Sequence, residues 1–194
     1  MPTPRHSSGL EQFSLILGQG PGLSVLDLGP TSPSNIDYII GLGHRATSES
    51  LAVAAADASY LLPAGEGGEK VFDADAFLKA NLIYPESSFD AVLLWDLCDY
   101  LPEPLVRPVV ERLTRCCRPG ASLLGFFHTR EAGAEAPFHR YRIAAQDTVE
   151  LQPCEGPRLA RTFANRHIEK LFPNCRSIKF FLGKDNMREV LILL

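Results

Sequence analysis

The residues best suited to contact a ligand lie at the end of the apolar run Ser24–Leu28. Asp27 and Gly29 are followed at once by the small hydroxyl residues Thr31 and Ser32. A buried parallel strand that turns into a helix in this way presents a carboxylate and backbone N–H groups to a nucleotide-type ligand. The usual glycine-rich fingerprint is incomplete, because only Gly29 stands where three glycines are expected. The stretch therefore predicts an α/β unit more specifically than it predicts a ligand.

Two further apolar runs end in residues that can exchange protons. Phe89–Trp95 is followed directly by Asp96, and the run Ala121–His128 ends in a histidine. Such runs are typical of strands that are buried on both faces, and ligands of open α/β sheets bind at the carboxyl ends of the strands. We therefore expect Asp96 and His128 to face one crevice. His128 is the candidate general base; a histidine that only closes the strand end is the alternative interpretation.

The elements that must position these residues alternate between strand and helix. Ser32 and Pro33 form a helix start, with a hydroxyl cap before a proline at the first helical position. A second helix is predicted from Glu103 to Cys117. The expected buried stripes are Ile36, Ile39 and Ile40 on the first helix, and Leu105, Val109 and Leu113 on the second. This alternation favours a parallel, doubly wound sheet, and a length of 194 residues suits a single domain, 1–194.

The other segments have shorter or less regular patterns. They are a loose arm over residues 1–8, a short helix from Ser8, an alanine-rich helix over Glu49–Leu62, a loop over Pro63–Gly68, a short third strand at Val71–Phe72, an extended segment over Phe138–Thr148 and a helix over Phe163–Phe172. Ile178–Leu182 and Arg188–Leu193 predict a β-hairpin. Thr129–Arg142 is long and irregular enough for a lid, with a disordered connection as the alternative.

Composition gives no support to several classes of function. A net charge of -4 with a pI near 5.7 provides no attraction to nucleic acid or to an anionic membrane. No run approaches the roughly 18 apolar residues of a membrane span, and Met1–Leu10 lacks the apolar core of a signal peptide. The cysteines are irregularly spaced, without a CxxC pair or a Cys/His cluster. We therefore expect no metal site, and reduced thiols in a cytoplasmic protein.

Three motifs together span most of the chain. They are Val25-Leu-Asp-Leu-Gly29, Tyr84-Pro-Glu-Ser-Ser-Phe-Asp90 running into Val92–Trp95, and Leu113-Thr-Arg-Cys-Cys-Arg-Pro-Gly120. In this combination the sequence resembles the class I methyltransferases that use S-adenosylmethionine (SAM). The resemblance implies an α/β fold with a doubly wound, mostly parallel seven-stranded sheet of Rossmann-like type, which ends in a C-terminal antiparallel hairpin.

Matched position by position, the resemblance also implies a site. The implied cofactor-binding residues are Asp27, Gly29, Thr31, Glu49, Asp75 and Asp96. Asp27 and Gly29 would lie beside the methionine part of SAM, and Glu49 would accept hydrogen bonds from the ribose hydroxyls. Asp75, or Asp73 in its place, would lie near the adenine amine, and Asp96 would face the ligand's amino group or the substrate entrance. Tyr100, Tyr141 and Arg142 are candidates for an acceptor pocket. The alternative is that each acid caps a helix, holds a turn or is solvated.

The function implied by the resemblance is methyl transfer from SAM to a small-molecule acceptor, a displacement in which positioning supplies most of the acceleration. Pro30, Thr31 and Ser32 stand where the family has further glycines. Thr31 and Ser32 can donate hydroxyl hydrogen bonds, whereas Pro30 removes a backbone donor. A non-catalytic methyltransferase-like domain that binds a partner protein is therefore the alternative. A nucleotide-binding oxidoreductase is disfavoured by the terminal hairpin.

Overall fold

The structure is a computed structural model that describes residues 3–62, 70–129, 136–183 and 186–194. Its strands are β1 (Thr3–His6), β2 (Ser24–Asp27), β3 (Arg45–Ser48), β4 (Leu61–Leu62), β5 (Val71–Phe72), β6 (Phe89–Trp95), β7 (Cys117–His128), β8 (His139–Ala145), β9 (Thr148–Pro153), β10 (Ser177–Leu182) and β11 (Met187–Leu193). Its helices are α1 (Ser8–Leu17), α2 (Pro33–Gly41), α3 (Leu51–Ala54), α4 (Ala74–Ala80), α5 (Leu97–Tyr100), α6 (Glu103–Cys116) and α7 (Asn165–Leu171), with a 3-10 turn at Ala58–Tyr60.

Six strands of the described chain form a central sheet in the order β10-β11-β7-β6-β2-β3. The strands β3, β2, β6 and β7 run parallel, and β11 and β10 complete the sheet as an antiparallel hairpin. Leu26 of β2 pairs with Thr47 on one side and Val92 on the other. The predicted doubly wound, mostly parallel architecture and its terminal hairpin are confirmed. The described sheet has six strands where seven were expected.

The strand missing from the central sheet is the one expected at Val71–Phe72. It exists as β5, but it pairs antiparallel with β4, where Leu61 faces Phe72. The Tyr60 ring packs against Phe72 and Phe77, with centroids 5.9 and 5.1 Å away. These aromatic contacts hold the two-residue strand in a separate hairpin, so β3 is the edge of the central sheet among the described residues.

The alanine-rich helix predicted over Glu49–Leu62 is largely wrong. Only α3 is α-helical, and the chain then passes through the 3-10 turn into β4. The Asp57 side chain accepts a hydrogen bond from Ser59 N at 2.8 Å. Such a local side-chain bond competes with helix continuation and explains the early end of the helix. The loop predicted over Pro63–Gly68 lies outside the described residues.

Helix α2 begins at Pro33 as predicted, but it turns a different face inward. Ser32 occupies the cap position without a side-chain cap hydrogen bond. Ile39 is buried as expected, whereas Ile40 is 57% exposed and its placement in the buried stripe was wrong. Asn35 is buried instead, because the helix packs under β8 and supplies a polar contact there.

A second, three-stranded antiparallel sheet has the order β1-β9-β8 and is called the cap sheet below. Residues 3–6, expected to be part of a loose arm, form β1 and pair with β9, so that Arg5 faces Val149. The extended segment predicted over Phe138–Thr148 is confirmed as β8. Of the proposed lid Thr129–Arg142, residues 130–135 lie outside the described chain and residues 139–142 belong to β8.

Helices cover both faces of the central sheet. The stripe predicted on α6 is confirmed, because Leu105, Val109 and Leu113 are fully buried in a core that includes Val92 of β6. The neighbouring Leu93 points to the opposite face and packs in a core that includes residues of α1, α2 and the cap sheet. Within the described ranges, no helix combines the length and the apolar character needed to cross a membrane.

Candidate functional site

The carboxyl ends of β2, β6 and β7 lie side by side, as the strand-end argument predicted. Asp27 pairs in register with Leu93, and Trp95 pairs with Gly125. Asp27, Asp96 and His128 therefore lie along one edge of the sheet, and each is at most 3% exposed. The cap sheet covers this edge, because Tyr141 of β8 contacts both Trp95 and Asp96. The candidate site is closed in the structure.

Asp27 is engaged by three donors at the turn between β2 and α2. Its Oδ1 accepts from Trp95 Nε1 at 2.7 Å and from Gly29 N at 3.1 Å. Its Oδ2 accepts from Asn35 Nδ2 at 2.8 Å. Burial raises the pKa of Asp27, and the three hydrogen bonds oppose that rise in part. Asp27 thus holds the turn and anchors the end of β6 at the same time.

Trp95 fills the space over the glycine of the first motif. A Cβ added at Gly29 would lie 2.7 Å from Trp95 Cδ1, which is well inside van der Waals contact. The indole stacks on the Tyr141 ring with centroids 4.9 Å apart and planes 3° from parallel. Trp95 has a φ of +49°, a region that is strained for a bulky residue. Its burial was expected, but its contact with Gly29 was not.

Asn35 ties the cap sheet to the same turn. Its Nδ2 also donates to the Tyr141 carbonyl at 3.0 Å, and its Oδ1 accepts from Ile143 N at 2.8 Å. The side-chain amide therefore pairs with the β8 backbone as a neighbouring strand would. Sequence reasoning missed Asn35. The only local signal is an amide in the first turn of α2, six residues after Gly29.

Asp96 forms a buried pair with Tyr141. The Tyr141 hydroxyl donates to Asp96 Oδ2 at 2.6 Å. Burial raises the pKa of Asp96 to about 7, although the Tyr141 bond and the nearby His128 lower it, and Asp99 adds to the rise. The same burial, followed by the charge of Asp96, raises the pKa of the Tyr141 phenol well above its ordinary value. Asp96 therefore changes charge near neutral pH inside the closed site.

His128, the candidate base, is oriented by Asp99 of α5. Asp99 Oδ2 accepts from His128 N at 2.6 Å and lies 3.0 Å from His128 Nδ1. Burial raises the pKa of Asp99, and the hydrogen bonds from His128 oppose the rise. Asp99 Oδ1 is buried without a hydrogen-bond partner in the described chain. Sequence reasoning gave Asp99 no role, although it follows Asp96 by three residues, one turn of helix.

Tyr100 borders this pair. Its ring meets the His128 ring edge-on with centroids 5.8 Å apart. Its hydroxyl donates to the Pro137 carbonyl at 3.3 Å, near the start of β8. Burial, and then the charges of Asp96 and Asp99, raise the pKa of the phenol. Tyr100 and Tyr141 thus lie next to the buried acids.

The remaining predicted cofactor residues make other contacts. Glu49 N donates to the Asp27 carbonyl at 2.9 Å, so its backbone lies at the site. Its side chain, however, accepts from Leu82 N at 3.0 Å. Thr31 Oγ1 accepts from Ser48 Oγ at 3.3 Å on an exposed surface. The structure therefore brings Asp27, Gly29, Asp96 and His128 together and places Thr31 and the Glu49 side chain at the periphery.

Three predicted residues, Asp73, Asp75 and Arg142, lie apart from the buried network. Asp73 caps α4 by accepting from Ala76 N at 2.9 Å, whereas Asp75 is exposed in the first turn of that helix. Arg142 donates to Ser34 Oγ and forms an ion pair with Glu150 at 3.1 Å. Arg142 therefore fastens β8 to α2 at the surface. In the described ranges, no group of three or more His, Cys, Asp or Glu side chains is arranged to hold a metal ion.

No family model and no curated protein matches the sequence. Solved structures do match over nearly the whole chain. A SAM-dependent methyltransferase from Archaeoglobus fulgidus matches with a TM-score of 0.57 at 9% identity, covering 95% of this chain and 91% of that one. Another from Methanosarcina mazei gives 0.55 at 17% identity, covering 92% and 95%.

A third match is the 1,6-didemethyltoxoflavin-N1-methyltransferase of Burkholderia thailandensis, solved with 1,6-didemethyltoxoflavin and S-adenosylhomocysteine (SAH). It gives a TM-score of 0.51 at 13% identity, covering 96% of this chain and 78% of that one. At such identities the likeness concerns the fold. The sheet order, the terminal hairpin and these matches together give one conclusion: the chain has the class I, Rossmann-like fold of SAM-dependent methyltransferases.

Proposed function

We propose that the chain is a SAM-dependent methyltransferase acting on a small-molecule acceptor. The observation that carries the proposal is the juxtaposition of the Asp27–Gly29 turn with the Asp99–His128 pair at the carboxyl edge of a sheet of this fold. The Burkholderia structure, which holds a small molecule together with SAH, supports a small acceptor. The single-domain organisation and the cytoplasmic location expected from the sequence remain part of this proposal.

The residue types at the edge fit the proposed cofactor, whose sulfonium supplies an electrophilic methyl group. Asp27, Gly29 and Asp96 are proposed to hold its methionine part, with Thr31 at the turn. Glu49 is proposed to hold the ribose, for which its side chain must leave Leu82 N. The proposed adenine contact is Asp75 or its neighbour Asp73. The conformation described has the Trp95 indole over Gly29, so the methionine part and the indole cannot use that space together.

His128 is the proposed general base for an acceptor that must lose a proton. When Nδ1 donates to Asp99 Oδ2, the basic lone pair is on Nε2, and the acceptor's proton moves to that atom. Asp99 fixes the tautomer and stabilises the imidazolium that forms. Tyr100 and Tyr141 are proposed to line the acceptor pocket. Arg142 is proposed to shape it from outside, through its hold on Ser34.

A second candidate function is a non-catalytic methyltransferase-like binding domain. The contact of Trp95 with Gly29 favours it, because the chain's own side chain fills the space that a cofactor would need. In that case a partner protein would use the outer surface, and Asp27 would serve only to hold Trp95 and Asn35. The two candidates predict opposite results in a binding experiment.

Isothermal titration calorimetry with SAM and with SAH separates them. The methyltransferase proposal predicts saturable binding of both, with one site per chain, and no comparable heat from NAD. The Gly29→Ala variant is expected to lose binding, because the added Cβ would occupy space that the ligand needs at the turn, whereas Gly41→Ala, with nothing within 4 Å of its added Cβ, is the control. Absence of heat with both ligands would reject the proposal in favour of the binding domain; binding of NAD alone would point to an oxidoreductase.

A further inference from the structure

We propose that Trp95 is an internal plug of the cofactor site: its indole occupies the place of the methionine part of SAM, and the cofactor binds only after the indole has left Gly29. This inference rests on the proposed function and adds a mode of regulation to the same site. The closed state described above excludes the cofactor, and binding needs a more open state. The apparent affinity for the cofactor is therefore set by how often the plug opens.

The indole replaces contacts that a ligand at this turn would make. Trp95 Cδ1 and Nε1 lie 2.7 and 3.1 Å from the position of an added Gly29 Cβ. The indole N–H donates to Asp27 Oδ1 at 2.7 Å. An acid and a glycine at a strand-to-helix turn are the features that allow close approach of a ligand. Here both are in contact with the same side chain of the protein.

The closed position of Trp95 is strained and is held by neighbouring residues. A φ of +49° is strained at a tryptophan, and such a conformation persists only where the surroundings impose it. The hydrogen bond to Asp27 and the stack on Tyr141 impose it here. Rotation of the backbone at Trp95 to an ordinary φ would relieve the strain and carry the indole away from the turn. The plug is therefore poised to move rather than fixed by packing alone.

The plug is also coupled to the cap sheet. Tyr141, which stacks on the indole, donates to Asp96 and lies in β8. Its carbonyl accepts from Asn35, whose Nδ2 also bonds Asp27. Movement of Trp95 thus removes one face of the packing around Tyr141 and loosens β8 over the carboxyl edge. Movement of the Trp95 indole away from Gly29 and separation of the cap sheet from the carboxyl edge therefore occur together.

Trp95 is the only tryptophan in the sequence, so its fluorescence reports the plug directly. In the closed state the indole is 1% exposed and its emission is expected at short wavelength. Titration of the wild-type chain with SAH should shift the emission to longer wavelength, at concentrations that match the dissociation constant from calorimetry. The readout needs no acceptor and no turnover.

Substitution of the plug provides the second readout. Trp95→Ala removes the indole and is expected to tighten SAH binding by about tenfold or more, the factor by which a closed majority state weakens apparent affinity. Trp95→Phe keeps an aromatic ring in the core but lacks the N–H, and its affinity should be intermediate. The Trp95→Phe variant remains informative if the alanine variant folds poorly. Phe126→Leu is the matched control. Phe126 packs on both Trp95 and Tyr141, so its substitution loosens the same cluster but does not remove the indole that lies over Gly29.

The outcomes separate the two proposals. Binding to the wild-type chain with unchanged emission, together with unchanged affinity in Trp95→Ala and Trp95→Phe, overturns the plug and leaves the methyltransferase proposal standing. Binding to the wild-type chain that tightens in the Trp95 variants but not in Phe126→Leu supports the plug. Failure of every folded variant to bind SAM or SAH overturns both proposals.

Discussion

Asp96 is the residue through which pH acts most directly on this fold. Its carboxyl is buried, and burial raises its pKa from 3.8 to about 7. Below pH 3.8 the carboxyl is protonated in both the folded and the unfolded chain, so its contribution to the free energy of unfolding is fully present. As the pH rises to about 7 the unfolded chain ionises first, and the free energy of unfolding falls. A shift of this size corresponds to about 4 kcal/mol, and no further loss is expected above the folded-state pKa.

The Asp96→Asn variant should therefore lose much of the pH dependence of stability between pH 4 and 7. An asparagine oxygen can still accept from the Tyr141 hydroxyl, but it carries no titrating proton. Urea unfolding at several pH values checks this. Asp37→Asn, on the exposed face of α2, is the control and should keep the wild-type slope. An unchanged slope in Asp96→Asn would show that Asp27 and Asp99, whose pKa values are also raised by burial, dominate instead.

Individual elements were predictable where the pattern within the element decides its structure. The apolar runs of β6 and β7, the stripe of α6 and the terminal hairpin follow from their own residues. Elements that depend on distant partners were not predictable. β1 is a strand because Arg5 pairs with Val149, and β5 leaves the central sheet because Tyr60 holds Phe72.

The candidate site follows the same rule. The strand ends that carry Asp27, Asp96 and His128 were predicted from continuous apolar runs, each of which ends at or next to one of these residues. The orientation of Trp95 depends on Tyr141, a residue 46 positions further along the chain that no local pattern connects to it. Nor could the spacing show that the Asp27 carboxylate is already satisfied by the indole, by Gly29 and by Asn35. Sequence therefore located the site but not its closed state.

Helix α1 offers a test at the scale of one element, because Gly9 sits where the helix crosses β11. An added Cβ at Gly9 would lie 2.8 Å from Glu189 Oε2 and 2.9 Å from Leu124 Cδ1. Glu189 cannot retreat easily, since it is buried, accepts from Gly9 N and pairs with Arg5. Gly9→Ala is expected to lower the free energy of unfolding by about 1–3 kcal/mol through overpacking.

The control for this prediction is Gly41→Ala at the end of α2, where an added Cβ meets nothing within 4 Å. It should be neutral or raise the free energy of unfolding by up to about 1 kcal/mol, the usual benefit of replacing a helical glycine. Thermal and urea unfolding of both variants give the comparison. Equal stabilisation in the two variants would mean that Glu189 does not hold α1 against β11.

The described chain consists of the central sheet with its helices and a cap sheet, which is joined to it by an apolar core that includes Tyr141, Ile143 and Val149 and by polar contacts at the carboxyl edge. Asn35 makes two of these contacts to the β8 backbone, while Tyr141 and Arg142 make others. Polar contacts lose their value as soon as water enters. The core packed against α6 includes no described residue of the three cap strands, so it does not depend on the cap sheet. We therefore expect the cap sheet to open as a unit of lower stability than the central sheet.

The Asn35→Ala variant tests whether the cap sheet opens separately from the central sheet. It leaves Ile143 N and the Tyr141 carbonyl without their partner, so the free energy of cap opening should fall by about 2 kcal/mol or more, roughly a thirtyfold rise in the open population. Hydrogen exchange followed by mass spectrometry should then be faster in peptides spanning 139–151 and unchanged in those spanning 89–95.

The matched control is Asn81→Ala, because Asn81 donates to Phe77 and Tyr60 on the side of the molecule away from the cap. It should leave exchange in residues 139–151 at the wild-type rate. Equal acceleration in the cap and in β6 of Asn35→Ala would contradict the division, because the chain would then open as one cooperative unit. Selective acceleration in the cap would instead give the proposed cofactor site an opening path that leaves β2, β6 and β7 folded.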